Sequence, residues 1–103
     1  MLRRSGLVIL ARNWRAAGGE LDLTALERNT LVFVEVKARA AGFDGPHPAV
    51  GHAQKQRIAR AARAFRSRFG VRNLPFRFDL ITVAGDPKQP TDVSWTKHYQ
   101  RNV

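Results

Sequence analysis

Thr30-Leu-Val-Phe-Val-Glu-Val-Lys-Ala38 decides the fold. β-Branched and aromatic residues dominate it, which predicts a strand. The short polar gap Arg28-Asn29 before it predicts a tight hairpin, with Asn29 suited to the positive φ of such turns. The partner is Glu20 to Glu27, where Leu21, Leu23 and Ala25 alternate with Glu20, Asp22 and Thr24. Gly18-Gly19 breaks the chain, and Leu7 to Arg15 before it opens with five apolar residues that read as a strand buried on both faces. Downstream, Ala40 to Pro48 holds Gly42, Gly45, Pro46 and Pro48 and reads as an exposed loop. From Val50 to Phe69 the period becomes helical, with Ile58, Ala61, Ala62, Phe65 and Phe69 in one apolar stripe. Gly70 is the expected helix stop. Arg77 to Ala84 reads as another strand, Gly85 to Pro90 as a turn-rich connection, and Asp92 to His98 as a weaker last strand. A strand, a helix and a strand imply a crossover, so 30–38 and 77–84 should be parallel with the helix on one sheet face. The expected fold is a single α/β domain over 1–103, a mixed sheet of about five strands with one main helix.

Composition narrows the partners. Eighteen Lys and Arg stand against eight Asp and Glu, a net charge of +10 over 103 residues. Such a balance favours a polyanion, since each neutralised phosphate releases condensed counterions. An anionic membrane surface is the rival polyanion. No apolar run approaches the ~18 residues of a membrane span, and Leu7 to Ala11 is too short for a signal peptide. The chain has no cysteine, which excludes disulfides, thiolate metal sites and a cysteine nucleophile. That fits the expected cytoplasmic compartment.

The hairpin carries the chemistry. If Glu27 faces Thr30, Asp22 lies opposite Glu35 and Glu20 opposite Lys37. Opposite residues share a sheet face, so Glu20, Asp22, Glu35 and Lys37 converge. Two carboxylates directly across a strand pair repel each other, and a cation between them relieves the repulsion. Their hard oxygens suit Mg²⁺ or Mn²⁺. A lysine beside such a metal can orient or deprotonate water and balance a phosphate's charge. The bland alternative is a solvated strand face with Asp22 paired to a neighbouring arginine; Glu-x-Lys alone does not exclude it.

Ile9-Leu-Ala-Arg-Asn-Trp-Arg15, Gly19-Glu-Leu-Asp-Leu23, Leu31-Val-Phe-Val-Glu-Val-Lys37, Lys55-Gln-Arg-Ile58, Arg77-Phe-Asp-Leu80 and Val93-Ser-Trp95 together resemble the YraN-like family of small bacterial proteins. That family is assigned to the PD-(D/E)xK nuclease-like fold and is similar to archaeal Holliday-junction resolvases. The resemblance runs from Gly6 to Tyr99. It implies a restriction-endonuclease-like sheet and a metal site at Asp22, Glu35 and the Val36 carbonyl, with Lys37 as catalytic lysine. It also places Glu20, Lys55 and Gln56 beside that site. Family members usually begin with a helix that carries a further glutamate. Here Met1 stands a few residues ahead of the first strand, so an exposed apolar patch at Leu7 to Ala11 is expected, covered in a homodimer or left on a marginal monomer that aggregates.

Lys55, Arg57, Arg60 and Arg63, with Arg66 and Arg68, lie off the helix's apolar stripe and are expected to bind nucleic-acid phosphates by charge rather than by base sequence. His47, His52 and His98 lack metal-ligand spacing and are expected at the surface. Trp14, Trp95 and the phenylalanines are expected in the core. Asp79 is either structural or supports the site from behind. No Gly-Lys-Ser/Thr phosphate loop is present, so ATP coupling is not expected. The leading expectation is an Mg²⁺- or Mn²⁺-dependent endonuclease acting on DNA, branched DNA included. The alternatives are a non-catalytic nucleic-acid-binding module of the same fold and a basic subunit of a larger nucleoprotein complex.

Overall fold

A computed structural model describes residues 6–39, 51–86 and 89–100. The loop expected over 40–48, with His47, and the side chain of His98 lie outside the described residues. Five strands and one helix follow in the order β1 (Leu7–Ala16), β2 (Gly19–Glu27), β3 (Thr30–Arg39), α1 (His52–Arg68), β4 (Phe76–Asp86) and β5 (Gln89–Gln100). They form one sheet in the order β1-β2-β3-β4-β5. β3 and β4 pair in parallel, with α1 between them in the chain, and every other neighbouring pair is antiparallel. This is the expected mixed α/β sheet. The last two strands run further than expected, into the segment read as a turn-rich connection. Among the described residues no helix is long and apolar enough to cross a membrane.

Alternation along the central strands divides the core. Leu31 and Phe33 of β3 point with Phe78 and Leu80 of β4 to the helix side, where Ile58, Ala61, Ala62 and Phe65 of α1 cover them. Trp14 closes this layer edge-on to Phe65, at 5.3 Å between ring centroids. Val32 and Val34 point the other way, to a second cluster with Leu7, Ala25 and Ile81, against which Trp95 packs. Arg77 and Asp79 share that second face. Arg77 Nε donates to both Asp79 oxygens at 3.1 and 3.2 Å, and its Nη1 to Glu27 at 2.8 Å. Trp95 Nε1 donates to Asp79 Oδ2 at 2.9 Å. The guanidinium holds Glu27 below the usual carboxylate range. Asp79 is therefore a buried structural residue on the face away from the helix.

Four local expectations change. β1 is not buried on both faces: it is an edge strand, and Val8 and Leu10 are 60% and 46% exposed. In the β2–β3 turn the positive φ falls on Arg28, at 56°, and not on Asn29. Phe69 is the half-exposed C-cap of α1 instead of a member of its buried stripe, although its ring still packs on Phe65. Leu21 joins the helix-side cluster while Leu23 packs on the opposite one, so regular alternation of β2 fails at Asp22. The helix stop at Gly70 is as expected. Gly70 has φ 67°, its N–H reaches Ser67 O and the next N–H, of Val71, reaches Arg66 O, the paired bonds of a Schellman end.

Candidate metal centre

The β2–β3 register pairs Glu27 with Thr30 and runs without a slip to Leu23 opposite Val34. One step further the next pair would be Asp22 and Glu35. There the backbone ladder gives way to a side chain: Asp22 Oδ2 accepts the Val36 N–H at 2.8 Å. This bond fixes the Asp22 carboxylate beside β3. Glu35 lies on the face covered by α1, and its side chain is 12% exposed. Burial first, and then the charge of Asp22, push its carboxyl up to about 7, while Lys37 opposes both. Lys37 offsets them only in part.

Lys37 and α1 complete the arrangement. Lys37 Nζ stands 3.5 Å from Glu35 Oε1. The same Nζ donates to Gln54 Oε1 at 3.0 Å, and Gln54 Nε2 donates to Glu35 Oε1 at 3.0 Å. Gln54 thus ties the acid to the lysine from the first turn of the helix. A cavity of about 250 Å³ is lined by Glu20, Asp22, Glu35, Gln54, Arg57 and Ile58.

The structure brings Asp22, Glu35 and Lys37 together, with Glu20 in the same cavity wall. Glu20 does not face Lys37 across a ladder; it pairs on the surface with Arg15, at 3.5 Å. Gln56 is not brought to the cluster. It is exposed and hydrogen-bonded to His52 at 3.1 Å, and Gln54 occupies the position expected of it. Val36 stands at the site through its backbone, with its N–H engaged by Asp22. Lys55 is half-buried, and Arg57, Arg60 and Arg63 are exposed along α1. Arg60 Nε donates to the Ala17 carbonyl at 3.3 Å, which ties it to the β1–β2 turn. Arg66 leaves the basic face: it donates to Arg72 O at 2.9 Å and lies 4.1 Å from the Phe76 ring centre.

Among the described residues no group of three or more His, Cys, Asp or Glu side chains is close enough to hold a metal. Asp22 and Glu35 are two. Mg²⁺ is commonly bound by one or two carboxylates with water completing an octahedron, so two hard oxygen donors from adjacent strands fit that ion.

A mixed five-stranded sheet that places two carboxylates and a lysine from adjacent strands under one helix defines an α/β domain of the restriction-endonuclease-like class. Residues 1–83 match the model of the family described as "Uncharacterised protein family UPF0102". A UPF0102 protein of Oleidesulfovibrio alaskensis is 46% identical over 90 residues, 86% of this chain and 45% of the relative. A UPF0102 protein of Pseudomonas putida is 40% identical over 101 residues, 94% of this chain and 80% of the relative. The chain belongs to the UPF0102 family, the YraN-like proteins it resembles. It spans under half the length of the first relative and four fifths of the second.

Proposed function

We propose that this protein is a divalent-metal-dependent endonuclease that hydrolyses phosphodiester bonds in DNA, branched DNA among its substrates. One observation carries the reading: Asp22, Glu35 and Lys37 converge beside one cavity, and Glu35 resists ionisation there because it is buried and lies beside Asp22. Asp22 and Glu35 would hold Mg²⁺ or Mn²⁺ through their free oxygens, with the Val36 carbonyl as the third protein donor that the family resemblance implies. Bound there, the ion would acidify a water and neutralise charge on the phosphate. Lys37, released from Gln54, donates N–H to the attacking water or to a phosphate oxygen and orients it. The Asp22–Val36 hydrogen bond keeps one acid from rotating away during this exchange. Lys55, Arg57, Arg60 and Arg63 draw the DNA backbone onto α1 by charge.

A non-catalytic nucleic-acid-binding module is the second reading. The Glu35–Gln54–Lys37 hydrogen bonds favour it, because they satisfy the acid and the lysine without an ion. Cleavage separates the two. Linear, flap and four-way DNA are incubated with Mn²⁺ and either wild type or Lys37→Ala. Strand scission by wild type that Lys37→Ala loses supports the nuclease. Binding without scission on all three substrates supports the module.

A further inference from the structure

The carboxylate cavity shares a wall with a second one. This neighbour, of about 430 Å³, is lined by Arg15, Ala16, Gly18, Gly19, Glu20 and Arg57, and Glu20 and Arg57 line both. Its size falls within the roughly 300–1,000 Å³ of small-ligand sites. The two cavities are therefore consecutive stations along one surface.

The chemistry of the second cavity differs from that of the first. Its two cationic walls come from different elements, Arg15 from β1 and Arg57 from α1. Arg60 adds a third guanidinium at the turn, anchored on the Ala17 carbonyl. Among the described residues the one carboxylate in the lining is Glu20, which pairs with Arg15 at 3.5 Å, and the Arg15 side chain is 77% exposed. An ion pair so exposed holds its partners weakly, so a phosphate can take Arg15 from it. The remaining lining comes from the tight β1–β2 turn, where Gly18 has no side chain and faces open space, while Gly19 packs against the Arg57 carbonyl of α1. At Gly18 the cavity is thus open to close approach. Among the described residues no aromatic side chain lines it, so these offer nothing on which a base could stack. Guanidinium groups in an open cavity without a stacking surface suit the backbone of a strand.

We propose that this second cavity is a phosphate subsite for a polynucleotide backbone, with Arg15 and Arg57 as its ligands, which receives the phosphodiester flanking the one held at Asp22 and Glu35. The placement beside the carboxylates rests on the nuclease reading. The phosphate chemistry of the Arg15 cavity does not. Arg57, common to both walls, sets the path of the strand from one cavity into the other. Arg15 fixes its register there, and the β1–β2 turn becomes part of the nucleic-acid surface.

The test needs no metal and no turnover. A fluorescent 12-base-pair duplex is titrated with wild type, Arg15→Ala and Arg15→Lys in EDTA, from 50 to 200 mM salt. Arg15 is exposed on an edge strand, and circular dichroism confirms that each variant is folded. Arg15→Ala is expected to weaken binding roughly tenfold, as for one charge-assisted contact, and to reduce the slope of log K against log salt by about 0.9. Arg15→Lys should keep the slope and recover part of the affinity, since it keeps the charge but not the fork. An Arg15→Ala variant with wild-type affinity and slope overturns the subsite. Mn²⁺-dependent scission, compared with Lys37→Ala, judges the nuclease reading separately. A protein that never cleaves yet shows the Arg15 effect keeps the phosphate subsite and loses both that reading and the placement beside a scissile bond.

Discussion

Glu35 ionises at a cost in the folded protein, because it is buried and Asp22 lies beside it. Its carboxyl titrates near 7 there, against an ordinary value of 4.5. As pH rises above 4.5 the unfolded chain gives up this proton first, while the folded chain keeps it until about 7. The folded state binds more protons across that window, so this group's contribution to stability falls from pH 4.5 to about 7 and is flat above it. Glu35→Gln has nearly the same shape and no charge to bury. In EDTA at pH 8 it is expected to be more stable than wild type by on the order of 1 kcal/mol, a rise of several degrees in Tm. Thermal melts from pH 4.5 to 8 read this directly; an unaltered pH slope in Glu35→Gln would remove Glu35 as its source. Mn²⁺ should reverse the ranking, stabilising wild type and not the variant. The acids were legible because strand pairing propagates: one correct turn at Arg28-Asn29 sets the register as far as Leu23 opposite Val34, one step short of Asp22 and Glu35. Gln54 was missed, and Gln56 named in its place, because two residues turn a helix by about 200°. The stripe itself held the signal. Four residues before Ile58, at Gln54, the face that packs on the sheet reaches the site, and Gln56 lies off that face.

α1 passes close over the β1–β2 turn at Gly19. Ala16 pairs with Gly19, which leaves Ala17 and Gly18 as the turn, at φ 54° and 76°. Two positive φ values suit the right-handed twist of the hairpin, but an alanine held there is strained by roughly 1–2 kcal/mol. Ala17→Gly or Ala17→Asn should therefore raise the urea midpoint, by about 1 kcal/mol in stability, without disturbing the Arg60 bond to the residue 17 carbonyl. Gly19→Ala should do the reverse and lose several kcal/mol, because its Cβ would collide with backbone of α1. If Gly19→Ala unfolds at the wild-type urea concentration, the helix does not rest on this turn. The expected break at Gly18-Gly19 was legible as a turn. Its second role, the close approach of a helix, was not, since no local pattern in β2 records which residue of α1 will pass over it. β1 failed for a related reason. Five apolar residues describe a strand's own surface, while its burial depends on how many neighbours it has, and β1 has one.

At the scale of the molecule, charge and apolar surface oppose each other. A net charge of +10 on 103 residues keeps copies apart at low salt and attracts polyanions. Val8 and Leu10 stand exposed on β1, at an edge of the sheet. The register slips between Ile9 and Ala11, and Asn13 has φ 50°, so this edge is bulged and poorly shaped to extend the sheet into a second copy. Association through β1 would have to come from side chains, with Val8 and Leu10 in the contact. The two surfaces then carry opposite salt signatures. On the proposed reading, added salt weakens DNA binding by competing for phosphates, yet it screens the repulsion between copies and favours the apolar contact. Sedimentation velocity at 50 and 500 mM NaCl should show the dimer fraction rising with salt. Val8→Lys with Leu10→Lys should abolish that rise, and it should leave the salt slope of DNA binding no flatter, because the substitutions add positive charge. A monomer at both salt concentrations would mean that the β1 patch drives no association in this chain. A dimer that dissociates as salt rises would assign its contact to ion pairs instead.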